Sequence, residues 1–384
     1  MALRRLLATC CGLAAGAAAA APSPAPPSVP ADAAYLPADS PAVLWTGRSK
    51  LVPGRGVAFD WEGVSATFSV SGSGIWVGLV ANITLNPTCA GRVSVFVNGF
   101  HTANMLLHAD VTSYLLAAGI KAPGPHLVTV VYTMEPVNSC SSYGAGQDVA
   151  FTGFTTSGAF VGTPPPQLAR RIDIVGDSIT AGSQDDPEHA LPVVCNDWLV
   201  TNSVTYNWES YLCRQFGANC TTIAWSGKGL INNGGCSAGA NMTTLFKQTE
   251  GGDSATLFDF SRASRPDALI VYLGTNDYSC AQTTDAIFTQ ALVEFVGAVI
   301  SGYAQSPGPA ASTTAFIALG PMSPTRPLAA CAAAVAQLKA AGVAAFLLNM
   351  TSGVTDGCGG HPGALGHRQM ALQAAPQIQA AMGW

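Results

Sequence analysis

The sequence predicts two folded units of different class: an all-β jelly-roll sandwich, then a three-layer α/β/α domain built on a parallel sheet. Two observations carry this. Between residues 35 and 162, short apolar runs alternate with polar positions at the two-residue period of half-buried strands, and no long helical pattern interrupts them. Beyond Thr163 to Pro166, reading T-P-P-P, strand-like apolar runs alternate instead with helical stretches, which implies a parallel sheet covered on both faces.

Taken in order, residues 1–21 carry Arg4 and Arg5 ahead of an uncharged run ending in alanines, the pattern of a cleavable secretory signal. Alanine and glycine make a poor membrane span, so a signal anchor is the weaker reading and no stable membrane insertion is expected after cleavage. Residues 22–34 open on P-S-P-A-P-P-S-V-P, an extended linker. The sandwich follows over 35–162, with strand patterns at 66–70, 75–79, 93–97 before an Asn98-Gly99 turn, 126–135 and 148–156. Trp45, Trp61 and Trp76 are open to two readings, sandwich core or a sugar-stacking surface.

Of 11 cysteines, Cys10 and Cys11 leave with the signal, so an odd set of nine remains and at least one stays unpaired or pairs between chains. Cys89 and Cys140 are the two in the sandwich and are expected to bridge, restricting the unfolded chain by ~4 kcal/mol in the entropy model. Asn82, Asn219, Asn241 and Asn349 each begin an N-x-Thr glycosylation pattern, which agrees with a secreted protein. Charged residues make up only 10% of the chain and the net charge is -5, so nothing basic points to nucleic acid. A monomer is expected.

After a linker at 163–167, the second domain spans 168–384. Strand patterns at 172–175, 222–225, 268–273, 315–319 and 343–348 alternate with helical patterns at 285–303 and 328–341, and a last helix is predicted over 364–381. Each of the first three strands runs at once into a small, polar, Gly-rich loop: Gly176-Asp177-Ser178, then Ser226-Gly227-Lys228-Gly229, then Gly274-Thr275-Asn276-Asp277. In a parallel sheet these loops open on one edge, where ligands bind. The loop after the fifth strand joins them with Asp356, Cys358 and His361.

These are the parts of an acyl-transfer site. A serine hydroxyl is a weak nucleophile until an imidazole accepts its proton, so Ser178 is the candidate nucleophile and His361 the candidate base. The Ser178 N–H, the Gly227 N–H and the Asn276 amide are the candidate oxyanion donors, each worth ~3 kcal/mol of barrier. Asp177 and Asp277 are assigned to support of these loops. Cys358 and His361 form half of a zinc pattern with no matching pair, so no metal and no cofactor is expected. Activity should rise with pH through the His361 titration, near ~6.5 for an unperturbed imidazole.

The blocks G-D-S-I-T-A-G, S-G-K-G, L-G-T-N-D and the late His361-Pro362, in that order, resemble the SGNH (GDSL) hydrolase superfamily over residues 168–384. Gly47-Arg48, the F-D-W-E-G-V run at 59–64 and Phe151-Thr-Gly-Phe narrow the likeness to carbohydrate esterase family two, in which a jelly roll precedes the hydrolase domain. The resemblance implies removal of acetyl groups from oligo- or polysaccharides through an acetyl-Ser178 intermediate, with acetylated carbohydrate as the partner. Two positions depart from it. Most SGNH enzymes carry Asp three residues before the histidine, where this chain has Cys358; Asp356 is the alternative orienting group, with a solvated turn aspartate as the competing reading. The aromatic residue often found before the histidine is Gly360 here. A lipase-like esterase, a sugar O-acetyltransferase and a non-catalytic glycan-binding protein with a degenerate site remain the alternatives.

Overall fold

The fold was analysed in a computed structural model that describes residues 33–84, 90–136, 148–183, 185, 195, 201–307, 312–322 and 325–384. The leader, most of the following linker, and the expected Cys89–Cys140 bridge lie outside the described residues.

The first unit is a sandwich of two antiparallel six-stranded sheets, jelly-roll-like in form. Its strands are β1 (Ala34–Pro37), β2 (Leu44–Thr46), β3 (Lys50–Val52), β4 (Gly56–Phe59), β5 (Ser65–Ser71), β6 (Ile75–Thr84), β7 (Ala90–Val97), β8 (Phe100–His108), β9 (Ser113–Ile120), β10 (His126–Tyr132), β11 (Asp148–Thr156) and β12 (Ala159–Phe160). One sheet runs β3-β4-β11-β6-β9 with β1 on β11; the other runs β12-β5-β10-β7-β8 with β2 on β5. The period-two pattern works as read: Ala66, Phe68 and Val70 of β5 are buried while Ser65, Thr67, Ser69 and Ser71 are less so. In the interior the rings of Phe59 and Phe151, on neighbouring strands of one sheet, meet edge-on at 4.9 Å, and those of Phe68 and Phe154, from opposite sheets, lie tilted at 4.2 Å. Trp45 packs on Phe59 and Phe151 and Trp61 is fully buried, so both belong to the packed interior rather than to a stacking surface.

The second unit is a five-stranded parallel sheet of β13 (Arg170–Gly176), β14 (Ala218–Ala224), β15 (Ala268–Tyr272), β16 (Thr314–Leu319) and β17 (Ala345–Asn349), in the order β14-β13-β15-β16-β17. Successive residues of each strand feed opposite faces. Ile174, Ile270 and Phe316 join a core with helices α1 (Trp208–Phe216) and α5 (Ala364–Met382), while Val175, Val271 and Ile317 belong to a core with α3 (Asp285–Tyr303) and α4 (Leu328–Ala340); the short α2 is Met242–Leu245. That second core is continuous with the sandwich interior. α3 is the one helix among the described residues long and apolar enough to cross a membrane, yet Phe288, Leu292, Phe295, Val296 and Val299 are buried against the sheet.

Several boundaries differ from the sequence reading, and two of them have a local reason. β14 starts four residues earlier, at Ala218, because an edge strand with one paired side tolerates Asn219, Thr221 and Thr222. β17 starts later, at Ala345, because the Val343 N–H still closes the end of α4 on the Leu338 carbonyl at 3.0 Å. Helix α1 was not anticipated; Asn207 caps it by accepting the Ser210 N–H at 3.0 Å, and Gly217 ends it in the left-handed region.

Candidate active site

Gly176 ends β13 where the chain must turn within one residue. A side chain there would stand 2.0 Å from Thr180 Oγ1, so only glycine lets the turn close. The turn is tied by Asp177: its carbonyl accepts the Thr180 N–H at 3.1 Å and the Ala181 N–H at 2.9 Å, and its Oδ1 accepts the Ile179 N–H at 3.0 Å. Ser178 is thereby held at the carboxyl end of β13, next to the central strand β15, with 8% of its surface exposed.

His361 arrives from the loop after β17, and its Nε2 lies 2.8 Å from Ser178 Oγ across 183 residues of sequence. Burial holds the imidazole below its ordinary value, partly offset by the Cys358 backbone, which favours the charged form. Nδ1 is buried with no hydrogen-bond partner of ordinary geometry among the described residues. Asp356 does not orient it, because Asp356 Oδ1 accepts the Gly363 N–H at 2.8 Å and the Gly366 N–H at 3.2 Å. Those donors are orphan N–H groups at the start of α5, so this carboxylate serves as a helix cap. The loop is fixed instead by the Cys195–Cys358 disulfide and by reciprocal backbone bonds, Gly357 N–H to the His361 carbonyl at 2.8 Å and His361 N–H to the Cys358 carbonyl at 3.0 Å.

The oxyanion candidates come from the loops after β14 and β15. Gly227 is exposed in the left-handed region, φ 76°, a conformation open to glycine. Asp277, fully buried, accepts three successive N–H groups of the first loop, Leu230 at 2.9 Å, Ile231 at 2.8 Å and Asn232 at 3.0 Å. Asn276 Nδ2 is engaged in this structure: it donates to the Lys228 carbonyl at 2.9 Å and to Asp177 Oδ2 at 3.3 Å. To reach an oxyanion it must exchange one of these bonds, and the longer one to Asp177 is the weaker. Cys236–Cys280 joins the same two loops covalently.

Sequence reasoning left Glu135 and the Trp61–Trp225 contact unread, whereas Asp177 was assigned to support of the site. Burial raises Asp177 to about 7. Glu135, buried at the end of the sandwich, accepts the Ser226 N–H on its Oε2, and Trp61 of the sandwich meets Trp225 edge-on at 6.4 Å. His367, fully buried, accepts the Trp208 N–H on Nδ1 at 3.2 Å, a packing role on α5. Beside the two disulfides above, Cys213 pairs with Cys220, and among the described residues Cys331 is free and buried. No group of three or more metal-ligating side chains occurs among the described residues.

The chain is 24% identical to the cellulase/esterase CelE of Acetivibrio thermocellus over 90% of its own length and 40% of that protein's. It is 22% identical to an acetylxylan esterase / glucomannan deacetylase of Cellvibrio japonicus, over 71% of each chain. It thus spans less than half of the first relative. The fold matches a family two carbohydrate esterase from Clostridium thermocellum solved in complex with cellohexaose, with TM-score 0.74, 21% identity, and coverage of 89% of this chain and 99% of that one. The family model for GDSL-like lipases and acylhydrolases matches residues 174–369, which contain Ser178, Gly227, Asn276 and His361. The chain belongs to the GDSL-like lipase/acylhydrolase family.

Proposed function

We propose that this protein is a secreted carbohydrate esterase that removes O-acetyl groups from oligo- or polysaccharides by a Ser-His mechanism. The observation that carries the reading is the 2.8 Å contact of Ser178 Oγ with His361 Nε2 at the carboxyl edge of the parallel sheet. Ser178 Oγ attacks the acetyl carbonyl while His361 Nε2 takes its proton. The tetrahedral oxyanion is met by the Ser178 and Gly227 N–H groups and by the Asn276 amide once it leaves Asp177. Collapse breaks the bond to the sugar oxygen, which receives the proton from His361. Water, deprotonated by the same imidazole, then attacks acetyl-Ser178 and releases acetate.

Acetylated xylan or glucomannan is the substrate class suggested by the relatives' activities. Residues 1–21 are proposed as the signal, and Asn82, Asn219, Asn241 and Asn349 as glycosylation sites, a setting consistent with three disulfides. The test is acetate release from p-nitrophenyl acetate and from acetylated xylan and glucomannan. Ser178→Ala is expected to lower kcat by at least ~10³-fold. Glycan binding without turnover by the wild type would overturn the assignment.

A further inference from the structure

The strand pattern over 126–135 extends three residues past the end of β10 at Tyr132. Thr133 still bonds the sandwich, its N–H donating to the Arg92 carbonyl at 3.0 Å, and then the chain leaves the sheet toward the second domain. It delivers Glu135, 5% exposed, to the loop that follows β14, where Oε2 accepts the Ser226 N–H. The next N–H along the chain is that of Gly227.

The hydrogen bonds that hold this loop beyond Gly227 come from within its own domain. The Lys228 N–H donates to the Trp225 carbonyl at 3.1 Å, the Gly227 carbonyl accepts the Gly234 N–H at 2.8 Å, and Asn276 holds the Lys228 carbonyl. Ahead of Gly227, the Ser226 N–H is fixed by Glu135, and the neighbouring Trp225 is wedged on Trp61, so both supports come from the sandwich. We infer that Glu135 is a positioning residue of the active site, its carboxyl oxygen fixing the Ser226 peptide and thereby the direction of the Gly227 N–H. The inference rests on the acyl-transfer reading, in which that N–H meets the oxyanion. It makes the sandwich a working part of the site rather than an appended module.

Two further features fit. Glu135 faces Lys228 and Asp177, the groups that flank the oxyanion loop and the nucleophile, as well as the buried carboxyl of Glu62. Burial raises Glu135 to about 7, with the Ser226 bond and the Lys228 charge pulling it back down. Charged or neutral, a carboxyl oxygen still accepts an N–H, so the anchor does not depend on ionisation, and a glutamine amide oxygen can replace it.

The experiment compares wild type, Ser178→Ala, Glu135→Asp and Glu135→Gln on p-nitrophenyl acetate. Rates of wild type and the two Glu135 variants are referred to sites titrated with a serine-directed phosphonate, so that incomplete folding of a variant does not count as lost chemistry, and that of Ser178→Ala, which has no such site, to the concentration of folded protein. Aspartate withdraws the acceptor by about 1.5 Å, one carbon–carbon bond. Glu135→Asp is expected to lower kcat at least ~10-fold with KM within ~3-fold, the mark of an interaction made in the transition state. It should also weaken inhibition by a phenylboronate that mimics the tetrahedral adduct, while Glu135→Gln restores both towards wild type. A per-site kcat for Glu135→Asp within ~3-fold of wild type, or equal impairment of the Asp and Gln variants, overturns the inference. Undiminished turnover by Ser178→Ala would instead sink the acyl-transfer reading itself.

Discussion

His361 can act as a base only while neutral, and burial disfavours its charged form. Its folded value is therefore depressed, so activity is present above that value and is lost as pH falls through it. The acid limb of kcat/KM should then have its midpoint below the ~6.5 of an exposed imidazole. A pH–rate profile on p-nitrophenyl acetate with a midpoint above 6.5 would contradict this placement. Among single residues, the sequence made Ser178, Gly227 and His361 readable because each lies at the end of a recognisable strand or in a loop of unusual composition. The use of Asp356 was hidden, because whether a carboxylate caps a helix or orients an imidazole depends on which donors the fold brings to it. Here the donors are Gly363 and Gly366.

At the scale of elements, the disulfides staple the loops of the proposed site in pairs. Cys195–Cys358 links the segment after the nucleophile turn to the histidine loop, and Cys236–Cys280 links the two loops that carry Gly227 and Asn276. The first closes a span of 163 residues, which the chain-entropy model values at about 5 kcal/mol. Mild reduction, or Cys195→Ala with Cys358→Ala, is expected to lower both the melting temperature and kcat while the far-UV circular dichroism at 25 °C is retained. An unchanged kcat in the double variant would show that the backbone bonds of the loop suffice. α3 was legible to the residue from its apolar run over 285–303, because that signal is local, and the structure adds its Thr284 cap. α1 went unread although Trp208, Leu212 and Phe216, at i, i+4 and i+8, form the one face that packs on the sheet and α5.

Across the whole molecule, the junction between the units concentrates buried acids. Burial pushes Glu135 and Asp177 up to about 7 and Glu209 to about 8, and raises Glu62 well above its ordinary value, with Glu209 and Glu135 adding repulsion. A carboxyl whose folded value is raised binds more protons folded than unfolded, so stability falls as pH rises between its unfolded value near ~4 and its folded one. Each such proton costs about 1.4 kcal/mol per pH unit within that window. His367 acts oppositely: burial lowers it to about 3, so its contribution to stability grows with pH up to about 6.5 and is then complete. The melting temperature is therefore expected to decline from pH 6.5 to 8, the range in which the neutral His361 favours catalysis. A melting temperature flat or rising over that interval, followed by circular dichroism, would refute the raised carboxyl values.

The sequence by itself determined the order and class of the two units and pointed to the loops that carry the proposed reacting groups, because strand and helix periodicity and glycine turns are written within a few residues of one another. Only the tertiary structure decided what surrounds the chemistry. The Glu135 bond to Ser226 spans 91 residues, and the Asn276 bond to Asp177 spans 99. Such pairings leave no local trace, since a buried polar group is committed by whichever partner packing places within about 3 Å of it, and that choice belongs to the assembled fold.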